Sequence, residues 1–347
     1  MIKLLIVDDS ALMRRQLSSL FEAEGDFTIR LARNGNEAVN ENIAFEPDVI
    51  TLDINMPEMD GLTALSLIMA GRPVPVVMIS SLTEKGALAT FEALNLGAVD
   101  YIVKPGGTIS LSLDVVRDAI IAKVRTAARA RMRLPRKPAE KPLPPLKATV
   151  APVSQVGEGI VMIGVSTGGP STLELVLPLL SAQFPYPVLV AQHMPASFTL
   201  SFAQRMNELC AMQVVEVSKP MTLVPGTVYI AKGGADLQVV RRVGKLTAIA
   251  KPESSEHLWH PSVDLMARSV LEQLDARQVM AVMLTGMGND GAAAFTEVKR
   301  RGGRTIAESK ESAVVFGMPA ELIKLGGASI TLPADKIARQ LNAWLGC

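Results

Sequence analysis

Short, continuous apolar runs recur along this 347-residue chain, and polar or glycine-rich residues follow each of them. Runs of this length are typical of strands buried on both faces, as in a parallel sheet. Segments with apolar residues at helical spacing, such as Ala11–Glu24, lie between them. In the first 118 residues the runs are Lys3–Val7, Thr28–Ala32 (the weakest), Val49–Leu52, Val76–Ile79 and Tyr101–Val103. The pattern predicts five β/α repeats in a doubly wound domain.

A second set of runs predicts another doubly wound α/β domain with a mainly parallel sheet. Between the two sets, six prolines fall in residues 135–152, and residues 119–158 carry a net charge of +7. A proline-rich, basic stretch without interleaved aromatics favours a solvated tether over a nucleic-acid site. We therefore expect domains at 1–120 and 158–347, joined by a helix end and linker at 121–157. The runs of the second set are Ile160–Val165, Val188–Gln192, Thr227–Ile230, Val279–Leu284 and Thr305–Ala307.

The composition excludes several classes of protein. The formal net charge is +1, so no global field attracts nucleic acid or a membrane surface. The two cysteines, Cys210 and Cys347, support neither a disulfide scaffold nor a Cys-rich metal site. No apolar run approaches the length of a membrane span, and the amino-terminal apolar run is too short for a signal peptide. We expect a cytoplasmic monomer that neither enters a membrane nor binds nucleic acid.

Acidic residues follow two strands of the first domain. Asp8 and Asp9 come after the first predicted strand, and Asp53 after Val49–Leu52. Because these ends meet at one sheet edge, the three carboxylates require a cation, and their hard oxygens suit Mg²⁺. Ser80 and Lys104 end the next two strands and add a hydroxyl and a positive charge. The set could accept a phosphoryl group on Asp53, although any one aspartate could simply cap a helix.

The motifs IVDDS (6–10), DINMPEMDGL (53–62), ISS (79–81) and DYIVKP (100–105) resemble the receiver domain of two-component response regulators. The resemblance implies the flavodoxin-like strand order, which stand-alone receivers share with flavodoxin itself. It also implies that Asp53 is the phosphoacceptor and that a histidine kinase is the phosphodonor. Asp8, Asp9, Asp53 and the Asn55 carbonyl would hold Mg²⁺, and Ser80, Tyr101 and Lys104 would respond to the phosphoryl group.

A second set of reactive residues follows strands of the second domain. Ser166 lies in GVSTGGP (164–170), a literal G-x-S-x-G between a strand and a helical pattern, where a phosphate-binding turn is the alternative. His193 ends the next strand and could be its general base, which favours a nucleophilic serine. Asp290, in a glycine-rich turn, could orient the imidazole, cap the helix that follows, or do both. Of the other histidines, His257 suits a solvated loop, and His260 could line a pocket.

Five motifs of the second domain resemble the CheB family of chemotaxis protein-glutamate methylesterases and glutamine deamidases. They are GVSTGGP, AQHMP, HPSVD (260–264), TGMGNDGA and VVFGMPAELIKLGGA (314–328). The resemblance implies Ser166 as nucleophile, His193 as base, Asp290 as its orienting partner and no cofactor for ester hydrolysis. Backbone N–H groups near Thr167 and Met287 would stabilise the oxyanion, and methyl-accepting chemoreceptors would be the substrates.

Two segments depart from that family's usual pattern. His260 stands where the family usually has arginine, and IAKGGADL (230–237), with Lys232–Asp236, replaces a segment that often reads IAPGG followed by a basic residue and histidine. These departures leave substrate preference open and do not touch the predicted triad. The order Ser…His…Asp also differs from that of α/β-hydrolases.

Two other outputs of a receiver-linked protein are alternatives. A DNA-binding output requires a compact, basic recognition module, whereas residues 159–347 are strand-rich and carry a net charge of only +2. A catalytically inactive adaptor would not need the serine, histidine and aspartate together. The family resemblance also implies that phosphorylation of the receiver relieves an inhibition of the enzyme.

Overall fold

The computed structural model describes residues 1–81, 83–104, 109–132 and 158–346, apart from the side chains of Glu84 and of 109–116. The chain divides into two units, Met1–Lys137 and Pro138–Cys347. The greater part of the expected linker, at 133–157, lies outside the described residues, as does Cys347. The helical spacing of Leu113 and Val116 predicts a last helix in the first domain, and their side chains also lie outside the described residues. The expected domain boundaries stay a prediction.

The first unit is an alternating series of five parallel strands and five helices. Its sheet has the order β2-β1-β3-β4-β5, which is the flavodoxin-like order. The elements are β1 (Ile2–Val7), α1 (Ala11–Glu22), β2 (Phe27–Ala32), α2 (Gly35–Phe45), β3 (Val49–Asp53), α3 (Gly61–Gly71), β4 (Val76–Ser80), α4 (Glu84–Asn95), β5 (Asp100–Val103) and α5 (Ile109–Ala127).

Local sequence signals explain where these helices begin. Ser10, Asn34, Asp60 and Thr83 each accept a hydrogen bond from a backbone N–H three residues later, and so cap α1 to α4. The strands β3 and β4 are buried at every residue, as expected for the middle of a sheet with helices on both faces. Asp8, directly after β1, and Asp53, the last residue of β3, therefore lie at the carboxyl edge of this sheet.

The second unit has a seven-stranded parallel sheet with the order β15-β14-β13-β6-β7-β10-β8 and a three-stranded antiparallel sheet with the order β11-β12-β9. Short 3₁₀ turns follow α6 and α8. The elements are β6 (Ile160–Val165), α6 (Gly169–Val176), β7 (Val188–Gln192), α7 (Ala196–Leu209), β8 (Gln213–Val217), β9 (Met221–Thr222), β10 (Thr227–Ala231), β11 (Ala235–Arg242), β12 (Lys245–Pro252), α8 (Val263–Gln273), β13 (Val279–Met283), α9 (Ala292–Arg300), β14 (Arg304–Glu308), α10 (Met318–Lys324), β15 (Ile330–Leu332) and α11 (Ala334–Leu345).

The predicted fold class is confirmed, but the sequence prediction missed five strands of the second unit. Two of them, β8 and β15, are short edge strands with partly exposed residues, so neither shows a continuous apolar run. The other three form the antiparallel sheet, in which polar and apolar residues are mixed. Val243 and Gly244, both with positive φ, join β11 to β12 in a two-residue hairpin.

Candidate active site and phosphorylation site

The three aspartates of the first unit lie together, as predicted. The register of β1 with β3 pairs Val7 with Leu52, so Asp8, directly after β1, lies beside Asp53, the last residue of β3. One carboxylate oxygen from each of Asp8, Asp9 and Asp53 lies within 4.8 Å of the others. The Lys104 ammonium lies 2.8 Å from Asp53 Oδ2 and 3.1 Å from Asp8 Oδ2.

The charges of this cluster are only partly compensated. Burial and the charge of Asp8 raise the pKa of the Asp53 carboxyl, and the Lys104 ammonium and the Asn55 N–H offset part of that rise. Burial lowers the pKa of Lys104, but the two carboxylates outweigh it and raise that pKa overall. Three carboxylates facing one ammonium have an excess of negative charge, and their hard oxygens fit a Mg²⁺ ion.

Strand register relates the other predicted residues to Asp53. Asp53 pairs with Ile79, the residue before Ser80, and Tyr101 pairs with Met78 on the same strand β4. The Ser80 hydroxyl is buried at the end of β4 and donates to the carbonyl of Gly86. Tyr101 is buried, with the Lys123 ammonium 5.0 Å above its ring. Burial raises its pKa well above 10.0. Asn55 is exposed, and its backbone N–H donates to Asp53.

In the second unit, strand register places the predicted nucleophile beside the predicted base. Val165 pairs with Gln192 in the parallel pair β6–β7, so Ser166 and His193 leave neighbouring strands side by side. The Ser166 N–H donates to the carbonyl of Thr285 (2.9 Å), which ties the turn to the loop after β13. Gly286 makes this approach possible, because a Cβ there would lie 2.7 Å from Ser166 Cβ.

His193 and Asp290 are in direct contact. His193 Nε2 lies 2.9 Å from Asp290 Oδ2; the Asp290 side chain is buried and that of His193 is mostly buried. The same carboxylate accepts hydrogen bonds from Val263 N (2.7 Å), Asp264 N (3.0 Å) and Ser262 Oγ (3.1 Å). These groups belong to the start of α8, so Asp290 meets that helix end rather than the helix after it.

The alternative prediction, that Asp290 caps the following helix, is wrong. The N-cap of α9 is Gly291, which has a φ of +83° and makes no side-chain capping bond. This left-handed residue turns the chain after Asp290, and the carboxylate faces the first turn of α8 instead. The sequence suggested a cap for α9 because that helix directly follows Asp290, whereas the bond to Val263 joins residues 27 positions apart in the chain.

The environment holds Asp290 as an anion. Burial alone raises the pKa of its carboxyl, but the hydrogen bond and charge of His193, with the N–H groups of Val263 and Asp264, outweigh burial and lower that pKa. His193 Nδ1, the ring nitrogen not bonded to Asp290, is buried and makes no hydrogen bond to any group in the described part of the chain. It is therefore the ring nitrogen left to exchange a proton.

Sequence reasoning missed two polar residues that tie this site together. The Gln192 amide donates to the carbonyls of both Ser166 (3.0 Å) and His193 (3.1 Å). The Thr285 hydroxyl donates to the carbonyl of Thr167 (2.9 Å). Gln192 ends the otherwise apolar strand β7, and Thr285 directly follows the apolar run Val279–Leu284, and these positions could have identified them. Met287 directly follows Gly286, and so also lies near the serine.

Trp259 was also missed, and the remaining histidines lie near it. Its indole is parallel to the His193 imidazole, with an interplanar angle of 6° and ring centroids 6.2 Å apart. His260 contacts Asp236, and His257 Nδ1 lies 3.4 Å from the Ser262 hydroxyl. His257, expected in a solvated loop, is partly buried. No signal in the sequence singled out the tryptophan.

Both units match known families. Residues 161–341 match the family model described as CheB methylesterase, and residues 4–115 match the response regulator receiver domain. The chain belongs to the CheB methylesterase family. Two relatives carry the name protein-glutamate methylesterase/protein-glutamine glutaminase, and the name of the Rhodospirillum rubrum protein ends in the number 3. One is from Rhodospirillum rubrum (54% identity, 99% of this chain, 96% of that protein) and one from Caldanaerobacter subterraneus (50%, 97% and 95%).

A solved structure supports the same assignment for the second unit. The CheB methylesterase catalytic domain of Thermotoga maritima is 40% identical, with a TM-score of 0.52, and the match covers 55% of this chain and 100% of that one. Among the described residues of this CheB-family chain, none of the helices has the length and apolar character needed to cross a bilayer.

Proposed function

We propose that this protein hydrolyses γ-methyl glutamyl esters on chemoreceptors to glutamate and methanol, and converts specific receptor glutamines to glutamate and ammonia. The carrying observation is that Ser166 and His193 leave paired strands, while Asp290 bonds His193. The name of the Rhodospirillum rubrum relative supports both activities. A DNA-binding or adaptor output is not favoured, because residues 161–341 match a catalytic family.

In the proposed reaction, the Ser166 hydroxyl attacks the ester carbonyl while His193 Nδ1 takes its proton. Asp290, bonded to Nε2, fixes the ring and stabilises the imidazolium. Backbone N–H groups of Thr167 and Met287 stabilise the tetrahedral oxyanion. The imidazolium then protonates the departing methoxide, which leaves as methanol. Water, deprotonated by the same imidazole, then attacks the acyl-serine; the acyl–oxygen bond breaks, the imidazolium returns the proton to Ser166 Oγ, and glutamate is released. For glutamine the first leaving group is ammonia.

The receiver is proposed to regulate this reaction. Asp53 accepts a phosphoryl group from a chemotaxis histidine kinase. Asp8, Asp9, Asp53 and the Asn55 carbonyl would hold Mg²⁺, which would supply positive charge next to the phosphoryl oxygens. Lys104 pairs with the phosphoryl group, and Ser80 and Tyr101 respond to it. Tyr101 is already buried, so its response does not begin from an exposed ring. Ester hydrolysis itself requires no cofactor.

The proposed substrates are helical cytoplasmic segments of receptors, which places this enzyme in the cytoplasm. It acts as a monomer, without entering the membrane and without binding nucleic acid.

The deciding experiment is methanol release from methylated receptor membranes, with and without a small phosphodonor. We expect release that the phosphodonor accelerates in the full chain. A fragment of about residues 150–347 should release methanol faster than the unphosphorylated full chain, and the phosphodonor should not change the rate of the fragment. An absence of methanol release by both proteins would overturn the proposed function. Equal rates for the two would overturn only the proposed regulation.

A further inference from the structure

A single buried carboxylate makes hydrogen bonds to both ends of a loop that contacts His193 and Asp290. Asp236, on β11, has a side chain only 1% exposed. Its Oδ1 accepts hydrogen bonds from His260 Nδ1 (2.9 Å) and Ser262 N (2.8 Å), and its Oδ2 accepts one from Ser254 N (3.1 Å). Both ends of the segment Glu253–Ser262, here called the 253–262 loop, are thus attached to one side chain.

The ring of His260 lies between two acceptors. Its Nδ1 faces the Asp236 carboxylate, and its Nε2 lies 3.1 Å from the carbonyl of His257. A neutral imidazole can donate through only one nitrogen, whereas the imidazolium donates through both. The arrangement therefore suits the charged ring. The two segments that depart from the usual family pattern, one with Asp236 and one with His260, are in direct contact here.

The 253–262 loop carries groups that reach the active site. Trp259 lies parallel to the His193 ring and also covers Gly288, where a Cβ would come within 2.9 Å of the indole. Leu258, beside it, is 85% exposed. From the end of the same loop, the Ser262 hydroxyl donates to Asp290. The loop therefore places one large aromatic side chain against the base and against the turn after Met287.

We propose that Asp236 and His260 are positioning residues that hold the 253–262 loop in place, and that Trp259 is a specificity-determining residue. Trp259, with the exposed Leu258, forms an apolar wall that contacts the side chains flanking the glutamyl ester in the substrate polypeptide. This inference rests on the proposed function for the identity of the substrate. Beyond the proposed function, the inference identifies the residues of this chain that select the substrate.

The proposal predicts a pH dependence with a defined sign. Burial lowers the pKa of His260, but the Asp236 hydrogen bond and charge, then the charge of Glu253 and the carbonyl of His257, outweigh burial and raise that pKa above 6.5. The attachment is therefore complete below pH 6.5 and is lost as the pH rises through the raised value.

A fluorescence titration tests the attachment without any activity measurement. The chain has two tryptophans and three histidines, so W344F leaves Trp259 as the only indole reporter. In the W344F full chain we expect the Trp259 emission to show a transition with a midpoint above pH 6.5. That transition should persist in H193Q and H257Q, disappear in H260Q and H260R, and move to lower pH in D236N. Persistence in H260Q would overturn the attachment.

Kinetics test the specificity role. We expect W259A and H260Q to raise the KM for methylated receptors about tenfold with little change in kcat, as loss of an aromatic contact does. H260R should restore the low KM and remove its pH dependence, because arginine stays charged. W344F is the matched control and should leave both constants unchanged, since Trp344 is on α11 and its ring packs against Arg304 of β14.

The outcomes separate the two proposals. An unchanged KM in W259A would overturn the specificity role, and a KM for H260R as high as that for H260Q would overturn the charged attachment. If D236N fails to fold, the comparison of H260R with H260Q still decides. A wild-type chain that releases no methanol would contradict the proposed function, whereas the Trp259 titration would still test the attachment.

Discussion

Asp53 in the first unit is the last residue of the parallel strand β3, and Asp290 in the second lies in the loop after the parallel strand β13, and their surroundings differ. Asp53 faces two other carboxylates and is bonded by the Lys104 ammonium and the Asn55 N–H. Asp290 accepts hydrogen bonds from two backbone N–H groups and one hydroxyl, and it also bonds His193. The first site therefore holds a carboxylate crowded by other carboxylates, and the second holds a carboxylate that accepts hydrogen bonds from several protein donors.

This difference explains the opposite pKa directions. Burial and Asp8 raise the pKa of the Asp53 carboxyl, whereas the His193 bond and the donors at the start of α8 lower that of Asp290 despite its burial. We infer that the environment of Asp53 suits a carboxylate that reacts and binds cations, whereas the environment of Asp290 suits a carboxylate that stays ionised and in place. The role of an aspartate near a strand end therefore depends on the hydrogen-bond donors and charges around it, and not on its position relative to the strand.

If Asp290 only orients the base, covalent chemistry in the second unit belongs to Ser166. We therefore expect S166A to lower methanol release by about 10⁶-fold, as loss of a nucleophile does in serine hydrolases. The matched control is S171A, which removes a half-buried hydroxyl that bonds only Gly168 among the described residues. Wild-type rates in S166A would show that another group is the nucleophile.

If Asp53 is the reacting carboxylate, D53N should reduce labelling by acetyl phosphate to background, and removal of Mg²⁺ should do the same. The matched control is D60N, because Asp60 is an exposed aspartate whose capping role asparagine can perform. Mg²⁺-dependent labelling that survives in D53N would move the phosphorylation site, with Asp8 or Asp9 as the next candidates.

D290N should lower methanol release less than S166A, by about 10⁴-fold, since the oxyanion donors and substrate binding remain. D264N is the control, because Asp264 lies in the first turn of α8, next to Asp290, and its carboxylate accepts a hydrogen bond from Ala294 N rather than contacting His193. We expect D264N to stay within about tenfold of wild type. Equal losses in D290N and D264N would mean that the fold of this turn, and not the carboxylate, supports the rate.

The smallest expected effect is a pair of opposite pH slopes in stability. Because the pKa of Asp290 is lowered, wild type should lose stability relative to D290N as the pH falls below 3.8. Because the pKa of Asp53 is raised, wild type without Mg²⁺ should lose stability relative to D53N without Mg²⁺ as the pH rises above 3.8. Each difference should be on the order of 1 kcal/mol.

Calorimetry of the full chain can measure both differences. Addition of Mg²⁺ identifies the transition of the receiver, because a bound ion stabilises only the unit that binds it. Slopes of the same sign for the two variants would contradict the contrast between Asp53 and Asp290.

The sequence by itself determined the fold class of both units and most of the residues at the two sites. Buried strands of a parallel sheet appear as continuous apolar runs, and the residue after each run must lie at the carboxyl edge of the sheet. This rule located Asp8, Asp53, Ser166 and His193 before any contact was known. The family resemblances added Asn55, Tyr101, Thr167 and Met287, whose roles stay predictions.

Only the tertiary structure decided what each site residue bonds. Asp290 and Ser262 are 28 residues apart, Asp236 and Ser262 are 26 apart, and His193 and Asp290 are 97 apart. Apolar periodicity reports the burial of a residue within its own segment, whereas these hydrogen bonds join segments that meet only after the sheet has formed. For the same reason the antiparallel hairpin of β11 and β12, with its mixed polar pattern, and the position of Trp259 over His193 could not be predicted from local sequence.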